Sequence, residues 1–331
     1  MWKSTSDNRP HSEQEEWHCY SDIETVIIEE AYQDKLSEVL LDECRIDLKY
    51  FLKISNRDEN IQRPVKRIHH ERVEEGRLRE ARFMSNPIAP SAPFRDPQLG
   101  FLYATRQYFN IRRDPDDDYG TRLMLVEKAA EGFIIEAKKL GKQKEGEWLA
   151  RQLLKVKRGT PQAVWECCVR LYCKESFLYK KMNEYMRLVG DKEHDDLWKT
   201  KIPTYGPFAF LLLWRDTAAY TRDTKTTVYR GANLSDDLIA QYRQKCAATS
   251  KCQDQVEFPS FTSTSRNRMK AEQFGNVLFV IDINDFKGRD VSAYSEYDEE
   301  EHLLAPNFLF YVRSCTFDEI KKKWMIHLQY D

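Results

Sequence analysis

The sequence predicts an α+β fold built from a small N-terminal unit and a larger C-terminal domain. Three observations predict it. Apolar residues recur at helical spacing through residues 99–190, short apolar or alternating runs follow Thr226, and a segment with four prolines at residues 84–97 lies before both. Strands that follow a helical block, rather than alternating with helices, are typical of α+β domains. A chain of 331 residues can bury two such cores.

Composition and charge exclude several classes of protein. The chain is 32% charged but carries a formal net charge of −2, so no basic surplus indicates a nucleic acid or an anionic membrane as partner. The longest apolar stretch, residues 208–214, is too short to span a bilayer. The N terminus lacks an apolar core, so we expect no signal peptide and a cytoplasmic or nuclear location. The eight cysteines are then expected to be reduced thiols, and without a Cys-x-x-Cys pair we expect no metal site.

Residues 1–70 are predicted to form the small unit. It has an amphipathic helix over residues 24–36 and short strands at 39–41 and 45–48. The order of three aromatic residues, the helix and the sequence RPVKR resembles a WWE domain; the aromatic residues are Trp2, Trp17 and Tyr20. The resemblance implies a half-barrel sheet with one helix. Trp17 and Tyr20 are expected in its core, because so small a domain needs large aromatic residues to fold.

Some WWE domains bind the iso-ADP-ribose unit of poly(ADP-ribose), so the resemblance implies ADP-ribose or its polymer as a partner. Arg63 and Arg67 suit phosphate, because a guanidinium binds phosphate oxygens in a bidentate manner. Two positions depart from the pattern of the binding members. Cys44 stands where they have Tyr, and Lys53 stands where they have Gln.

Residues 71–98 are predicted to connect the two domains. Residues 71–82 are charged and are expected to form a helical spacer, and the Pro-rich segment that follows is a linker signature. The domain at residues 99–331 begins with a helical block in which Ser176 is predicted to cap a helix. Helices are predicted over 122–140, 147–155, 163–174 and 176–188. Asn183 and Arg187 are expected at the surface.

The remainder of the chain is predicted to be rich in strands. A helix over residues 235–246, capped by Ser235, interrupts them. Trp324, Ile326, Leu328 and Tyr330 alternate along the last strand and are expected to share one face. Strands are predicted at 228–230, 257–264, 277–283, 309–316 and 323–330.

The most informative stretch of the sequence is residues 292–312, in which three consecutive glutamates precede an apolar run. Because side chains alternate along a strand, Glu299 and Glu301 are predicted to share a face and Glu300 to point the other way. Two carboxylates on one face at the edge of a strand can perform acid–base chemistry or stabilise a cation.

Two further motifs precede this run, in an order that is typical of one family. They are TVYRGANLS at residues 227–235 and FPSFTSTSRN at residues 258–267. With the glutamates they resemble the R-S-E class of mono-ADP-ribosyltransferases, of the arginine-specific type. The resemblance implies an ADP-ribosyltransferase fold, with a helical N-terminal part and a β-sandwich core, and NAD⁺ as the substrate. The chain has no Gly-x-Gly-x-x-Gly after a strand, so NAD⁺ is not expected to bind in Rossmann fashion.

The first two motifs supply the residues expected to bind NAD⁺. Arg230 is the candidate for the pyrophosphate, and Gly231 would let the backbone approach the ligand. Ser263 matches the serine that positions the nicotinamide ribose and the catalytic glutamate in the family. Thr264, beside it at the NAD⁺ site, is expected with Ser265 to brace the strand.

The glutamates are expected to perform the chemistry. Glu301 would stabilise the oxocarbenium-like centre that forms when the nicotinamide–ribose bond breaks. Glu299 would bind an incoming guanidinium and help to remove its proton. The apolar pair at residues 303–304 selects this register; a shift by one residue would put Asp298 and Glu300 in the two roles.

The sequence therefore predicts an NAD⁺:protein-arginine mono-ADP-ribosyltransferase with an N-terminal WWE domain. Residues 289–298 are expected to form the loop that reaches the protein acceptor, with Tyr294 and Tyr297 exposed on it. Two alternatives remain at this point: an NAD⁺ glycohydrolase on the same fold, and a poly(ADP-ribose)-binding adaptor whose transferase domain is inactive.

Overall fold

The structure, a computed structural model, describes residues 1–5, 17–68, 100–213, 225–247, 256–284 and 288–330. The segment predicted to link the two domains, residues 71–98, lies outside the described residues. The fold class predicted from the sequence is confirmed: a small sheet with one helix comes first, and a helical block followed by a strand-rich core comes second.

The N-terminal domain is an antiparallel six-stranded sheet with the strand order β2-β1-β6-β5-β4-β3. Its strands are β1 (Trp2–Thr5), β2 (Trp17–Cys19), β3 (Glu38–Leu40), β4 (Cys44–Asp47), β5 (Leu52–Ser55) and β6 (Gln62–Arg67). Helix α1 (Asp22–Gln33) packs on this sheet and begins two residues before its predicted start. The reason is a capping box, in which Ser21 Oγ accepts a hydrogen bond from the Glu24 amide and Glu24 Oε2 accepts one from the Ser21 amide.

Trp2 is the centre of the core of this domain. Its side chain is fully buried, and the centroid of its ring lies 5.5 Å from that of Tyr32 and 6.0 Å from that of Phe51. Trp17 was also predicted in the core, but that prediction is wrong. Its ring is half-exposed and the Lys66 ammonium lies 3.8 Å from its centroid, so this tryptophan takes part in a cation–π contact at the surface.

The helical block contains helices at the predicted positions and packs around its most buried helix. Its helices are α2 (Phe101–Tyr108), α3 (Tyr119–Lys139), α4 (Gln143–Lys155), α5 (Pro161–Cys173), α6 (Phe177–Arg187), α7 (Asp195–Lys199) and α8 (Ile202–Leu212). Ser176 caps α6 as predicted, with its hydroxyl accepting from the Leu178 amide. Helix α8 is buried on nearly every side and lies against α3 at Gly132, where any side chain would collide with the Thr204 backbone. In the described part of the chain, no helix is both long and apolar enough to cross a membrane.

The C-terminal core is an eight-stranded sheet with the order β11-β12-β9-β7-β10-β14-β13-β8. Its strands are β7 (Lys225–Ala232), β8 (Val256–Phe258), β9 (Thr262–Ser265), β10 (Val277–Asn284), β11 (Gly288–Asp290), β12 (Glu301–Leu304), β13 (Phe308–Asp318) and β14 (Lys323–Gln329). Two helices, α9 (Asp236–Ala247) and α10 (Arg268–Ala271), lie between strands in the chain. The single strand predicted over residues 257–264 is two strands at distant positions in the sheet. Pro259 lies at the break, because proline cannot donate a ladder hydrogen bond.

The two domains share a core through helix α1. Ile23 is fully buried in the same apolar cluster as the helices of the block, and Val26 and Ile27 pack partly against it. Polar contacts flank this cluster. Trp148 Nε1 donates to Glu30 Oε1 at 3.2 Å, and the Lys144 amide donates to Asp42 Oδ1 at 2.7 Å. The N-terminal domain is therefore docked against α4.

Glu145 lies buried near this interface, and its burial predicts a pH dependence of stability. Its Oε1 accepts from the Phe177 amide at 2.9 Å, and burial raises its carboxyl pKa from 4.5 to about 7. Between those values the native state binds more protons than the unfolded state, so the free energy of unfolding falls as pH rises. We expect Glu145→Gln to remove this fall, which is on the order of 3 kcal/mol by pH 8. Urea unfolding from pH 4 to 8 measures it.

The matched control is Glu131→Gln, at an exposed position of α3. This variant should keep the pH dependence of the wild-type protein. A Glu145→Gln variant whose free energy of unfolding still falls over the same pH range would show that another group causes the dependence.

Candidate active site

The three predicted motifs lie on three adjacent strands. Strand β9 is between β12 and β7 in the sheet. In the antiparallel register Glu301 is opposite Ser265 and Leu303 is opposite Ser263, and Tyr229 of β7 pairs with Ser265 from the other side. Residues that are more than 70 positions apart in the sequence are thereby brought to one place.

Arg230 is buried and joins two of these strands. Its side chain is on β7, the residue is 2% exposed, and Nη1 donates to the backbone oxygen of Ser263 at 2.7 Å. A guanidinium presents five donors in a planar fork whose geometry matches phosphate oxygens. In addition to the predicted contact with pyrophosphate, Arg230 fixes β7 to β9.

Besides the predicted approach of its backbone to a ligand, Gly231 makes a close contact within the protein. A Cβ atom added at this position would lie 2.7 Å from both the Cβ and the backbone oxygen of Phe274, and it would also collide with the Ala271 backbone. The close approach that requires glycine here is therefore to the turn after helix α10.

The hydroxyl groups of β9 divide into two roles. Thr264 and Ser265 brace the neighbouring strand, as predicted. The Thr264 hydroxyl donates to the His302 backbone oxygen at 2.5 Å, and the Ser265 hydroxyl donates to the Glu299 backbone oxygen at 2.7 Å. The hydroxyl protons of Thr264 and Ser265 are used in these two bonds. Ser263, which is 4% exposed, is therefore the stronger candidate to hold a ribose.

The glutamate run does not form a continuous strand. Strand β12 begins at Glu301, and Glu300 has a φ of +46°, in the left-handed region. Glu299 and Glu300 precede the strand, so strand alternation is not the cause of the arrangement predicted for the three glutamates. Glu299 and Glu301 are both buried, with exposures of 1% for Glu299 and 0% for Glu301.

The alternative register places its two carboxylates toward solvent. The side chains of Asp298 and Glu300 are 72% and 46% exposed, and both form ion pairs with Lys270, at 2.7 and 3.0 Å. Asn267 Nδ2 also donates to Glu300 at 2.8 Å. These contacts hold Glu300 on the outer surface of the turn, so the geometry favours the register based on Glu301.

Cys173 contacts the Glu301 carboxylate. Its Sγ atom lies 3.9 Å from Glu301 Oε2, within the distance of a weak thiol hydrogen bond, and both residues are buried. The last residue of α5 therefore lies directly against the candidate catalytic carboxylate.

The loop predicted over residues 289–298 begins after β11, at residue 291. Residues 291–300 are named the acceptor loop here, and further contacts that the sequence did not reveal hold them. Tyr294 packs edge-on against Trp165 at 5.6 Å, and the Tyr297 hydroxyl donates to Asp22 Oδ1 at 2.7 Å. Lys174 forms an ion pair with Glu296 at 2.8 Å. The expectation that both tyrosines are exposed is wrong, because both are half-buried against other elements.

Asn183 also differs from its predicted place at the surface. It is 7% exposed, and its Nδ2 donates to the Tyr172 hydroxyl at 2.8 Å. Its position on the buried face of the amphipathic helix α6 was the signal that could have located it. Among the described residues, no group of three or more His, Cys, Asp or Glu side chains could hold a metal ion.

In the N-terminal domain, Arg67 binds a carboxylate of the same domain. Its Nη2 and Nε donate to Glu29 at 2.6 and 2.9 Å. These hydrogen bonds lower the pKa of the Glu29 carboxyl to about 2. A phosphate at Arg67 would have to share or replace this partner, whereas Arg63 is half-buried and donates to the Gln62 backbone oxygen at 3.2 Å.

Comparison with known families gives two matches. The family described as NAD:arginine ADP-ribosyltransferase matches residues 142–330, which is more than half of the chain. The family described as WWE domain matches residues 8–67. No match was found among curated protein sequences.

Solved structures with a similar fold are ADP-ribosyltransferases and bacterial effectors at low sequence identity. ADP-ribosyltransferase HopU1 of Pseudomonas syringae pv. Tomato is 16% identical; the match covers 64% of this chain and 96% of that one, with a TM-score of 0.42. Exoenzyme S from Pseudomonas aeruginosa, solved with human 14-3-3 protein beta and carba-NAD, is 19% identical, covering 62% and 88%, with a TM-score of 0.39. The type III effector XopAI from Xanthomonas axonopodis pv. citri is 15% identical, covering 69% and 93%, with a TM-score of 0.41.

Proposed function

We propose, from the premise that this chain belongs to the NAD:arginine ADP-ribosyltransferase family, that it transfers ADP-ribose from NAD⁺ to a protein arginine and releases nicotinamide. One observation carries the proposal. Arg230, Ser263 and Glu301 meet on three adjacent strands, and Glu299 is buried two residues before Glu301. The arginine acceptor and the individual residue roles are parts of this proposal.

Glu301 acts on the electrophile. When the bond between ribose and nicotinamide breaks, its electron pair leaves with nicotinamide and positive charge develops on the ribose. A carboxylate that is fully buried and fixed at the start of a strand stabilises that charge more strongly than one in water, because little solvent screens it. Ser263 holds the ribose, and Arg230 neutralises the pyrophosphate.

Glu299 acts on the nucleophile. A guanidinium nitrogen attacks the ribose carbon, a new carbon–nitrogen bond forms, and the proton lost from nitrogen passes to the Glu299 carboxylate. The pKa of an arginine side chain is very high, so the guanidinium must be oriented and deprotonated as it attacks. A carboxylate two residues from Glu301 can bind the guanidinium in a bidentate manner and accept that proton.

An NAD⁺ glycohydrolase is a second candidate, and one observation favours it. Glu299 is 1% exposed, so in this conformation water reaches the site more easily than a protein side chain. Hydrolysis needs the same stabilisation by Glu301 but no carboxylate for a guanidinium. The two candidates therefore differ in the acceptor and not in the cleavage of NAD⁺.

A further part of the proposal concerns the WWE domain, whose partner we infer to be ADP-ribose or its polymer. The family match supports this inference. The ion pair between Arg67 and Glu29 opposes it, because an incoming phosphate must compete with an existing carboxylate.

The test of the function is an incubation of the full chain with NAD⁺ labelled in its adenylate part. Two matched peptides are supplied, one with arginine and one with lysine at the same positions. We expect label on the arginine peptide and some free ADP-ribose. Label that appears only as free ADP-ribose would identify a glycohydrolase, and unconsumed NAD⁺ would contradict both candidates.

A further inference from the structure

The WWE domain contacts the transferase domain close to the candidate active site. Asp22, the first residue of α1, uses its two carboxylate oxygens to bind two different elements of the transferase domain. Oδ2 accepts from the Glu175 amide at 2.7 Å, at the junction of helices α5 and α6. Oδ1 accepts from the Tyr297 hydroxyl at 2.7 Å, in the acceptor loop. Hydrogen bonds to an ionised carboxylate are among the stronger ones in proteins.

The position of α1 is fixed independently of Asp22. The adjacent Ile23 is fully buried in the core of the helical block, and Glu30 at the other end of the helix binds Trp148 and Arg151, each at 3.2 Å. Asp22 is therefore presented from a rigid element, and its bond to Tyr297 restrains the acceptor loop relative to that element.

The restraint acts on the segment that carries the candidate catalytic carboxylates. Tyr297 precedes Glu299 by two residues and Glu301 by four. The ion pair of Lys174 with Glu296 holds the same turn, and Cys173, the neighbour of Lys174, lies against Glu301. Asp22, the α5–α6 junction and the acceptor loop thus form one connected cluster beside the site.

The burial of Glu299 indicates what the restraint does. A protein arginine has to contact this carboxylate, but the residue is 1% exposed and cannot be reached by a protein side chain as it stands. Access requires a movement of the surrounding structure, and the acceptor loop is the segment that contains Glu299. A contact that holds the loop in this conformation therefore disfavours protein acceptors relative to water.

We propose that Asp22 of the WWE domain is a positioning residue that latches the acceptor loop through Tyr297 and so limits the access of protein acceptors to the transferase site. This inference rests on the proposed function of that site. Release of the latch raises transfer to protein, while the cleavage of NAD⁺ in the absence of a protein acceptor is unchanged. The WWE domain thereby sets the partition of ADP-ribose between water and protein.

The test uses the full chain with Tyr297→Phe, Asp22→Ala and the double variant. Tyr297→Phe removes one hydroxyl and leaves the docking of α1 intact, so it keeps the test valid if Asp22→Ala destabilises the chain. We expect each single change to raise the ratio of arginine-peptide labelling to free ADP-ribose by roughly 3- to 10-fold, the effect of one hydrogen bond on an open–closed equilibrium. The KM for the peptide should fall, while the rate of NAD⁺ hydrolysis measured without peptide stays the same. The double variant should match the larger single effect, because both changes remove the same bond.

A second measurement does not depend on catalysis. Hydrogen–deuterium exchange of residues 292–298 should be faster in both single variants than in the wild-type protein. Unchanged exchange in both would overturn the latch even if NAD⁺ chemistry is present. Faster exchange in a chain that does not cleave NAD⁺ would support the latch and contradict the proposed function, so the two failures can be distinguished.

The matched control is Glu30→Gln, on the same helix and in the same docking interface but remote from the acceptor loop. It should leave both the product ratio and the exchange of the loop unchanged. An equal rise in this control would show that general loosening of the interface, and not the Asp22–Tyr297 bond, governs the loop, and it would overturn the assignment of Asp22.

Discussion

Glu301→Gln is expected to abolish both transfer to arginine and hydrolysis of NAD⁺. The two side chains have nearly the same shape, and a buried amide oxygen can still accept from Cys173, so the fold should persist. What is lost is the negative charge that faces the oxocarbenium-like centre. Losses of single electrostatic contacts of this kind cost about 3–4 kcal/mol, or roughly 100- to 1,000-fold in rate. The defect should appear in kcat, with NAD⁺ affinity by calorimetry within about twofold of wild type.

Glu300→Gln is the control for this experiment. It makes the same chemical change one residue away, at a side chain that faces Lys270 and solvent. Near wild-type turnover is expected for this variant. If Glu300→Gln inactivates the protein and Glu301→Gln does not, the register of the glutamate run is shifted by one residue and Asp298 takes the place of Glu299.

Glu299→Gln is expected to suppress transfer to arginine and to spare NAD⁺ hydrolysis. An amide can neither accept the proton of the attacking guanidinium nor form a charge-assisted pair with it. Removing a general base typically costs ~100-fold or more. Water needs far less help than a protonated guanidinium, so cleavage of NAD⁺ should continue with free ADP-ribose as the product. Both products are measured in one reaction with labelled NAD⁺ and the arginine peptide.

Asp298→Asn is the matched control for Glu299→Gln. It lies one residue earlier, it is mostly exposed, and it pairs with Lys270. Both activities should be retained in this variant. Wild-type labelling of the arginine peptide by Glu299→Gln would remove arginine as the proposed acceptor, while the role of Glu301 would stand unaffected.

The two glutamate variants and the latch variants perturb different stages of one reaction. Loss of Glu301 affects every product, loss of Glu299 affects one product, and loss of the Asp22–Tyr297 bond is expected to change the ratio of the products in the opposite direction. The assay therefore gives a different product pattern for each role: stabilisation of the positive charge, deprotonation of the attacking guanidinium, and access of the protein acceptor to the site.

Features that depend on local physics could be predicted from the sequence. The helical periodicity of the block and the capping residue Ser176 located helices that the structure confirms. The alternation of the last strand was also correctly predicted, since Ile326 and Leu328 are buried in the core that Trp324 and Tyr330 contact. These features need only the contacts of a residue with its near neighbours in the chain and a preference for one apolar face.

The order of the three motifs also came from the sequence, through resemblance to a family. It selected Arg230, Ser263 and Glu301, which the structure brings onto adjacent strands. It did not reveal that Arg230 donates to the Ser263 backbone, because that bond exists only when β7 and β9 are neighbours in the sheet.

Tertiary structure alone decided how the site is assembled. Glu299 and Glu301 are buried and Glu300 faces outward as predicted, but Glu300 is left-handed and precedes the strand, so this arrangement does not come from strand alternation. The bond between Asp22 and Tyr297 joins residues 275 positions apart, and no local pattern encodes such a pair. Arg67 is likewise placed by its distant partner Glu29. Periodicity and caps fix which residues form helices and strands; which of their polar side chains meet depends on the packing of whole elements, and that is settled only when the domains fold against each other.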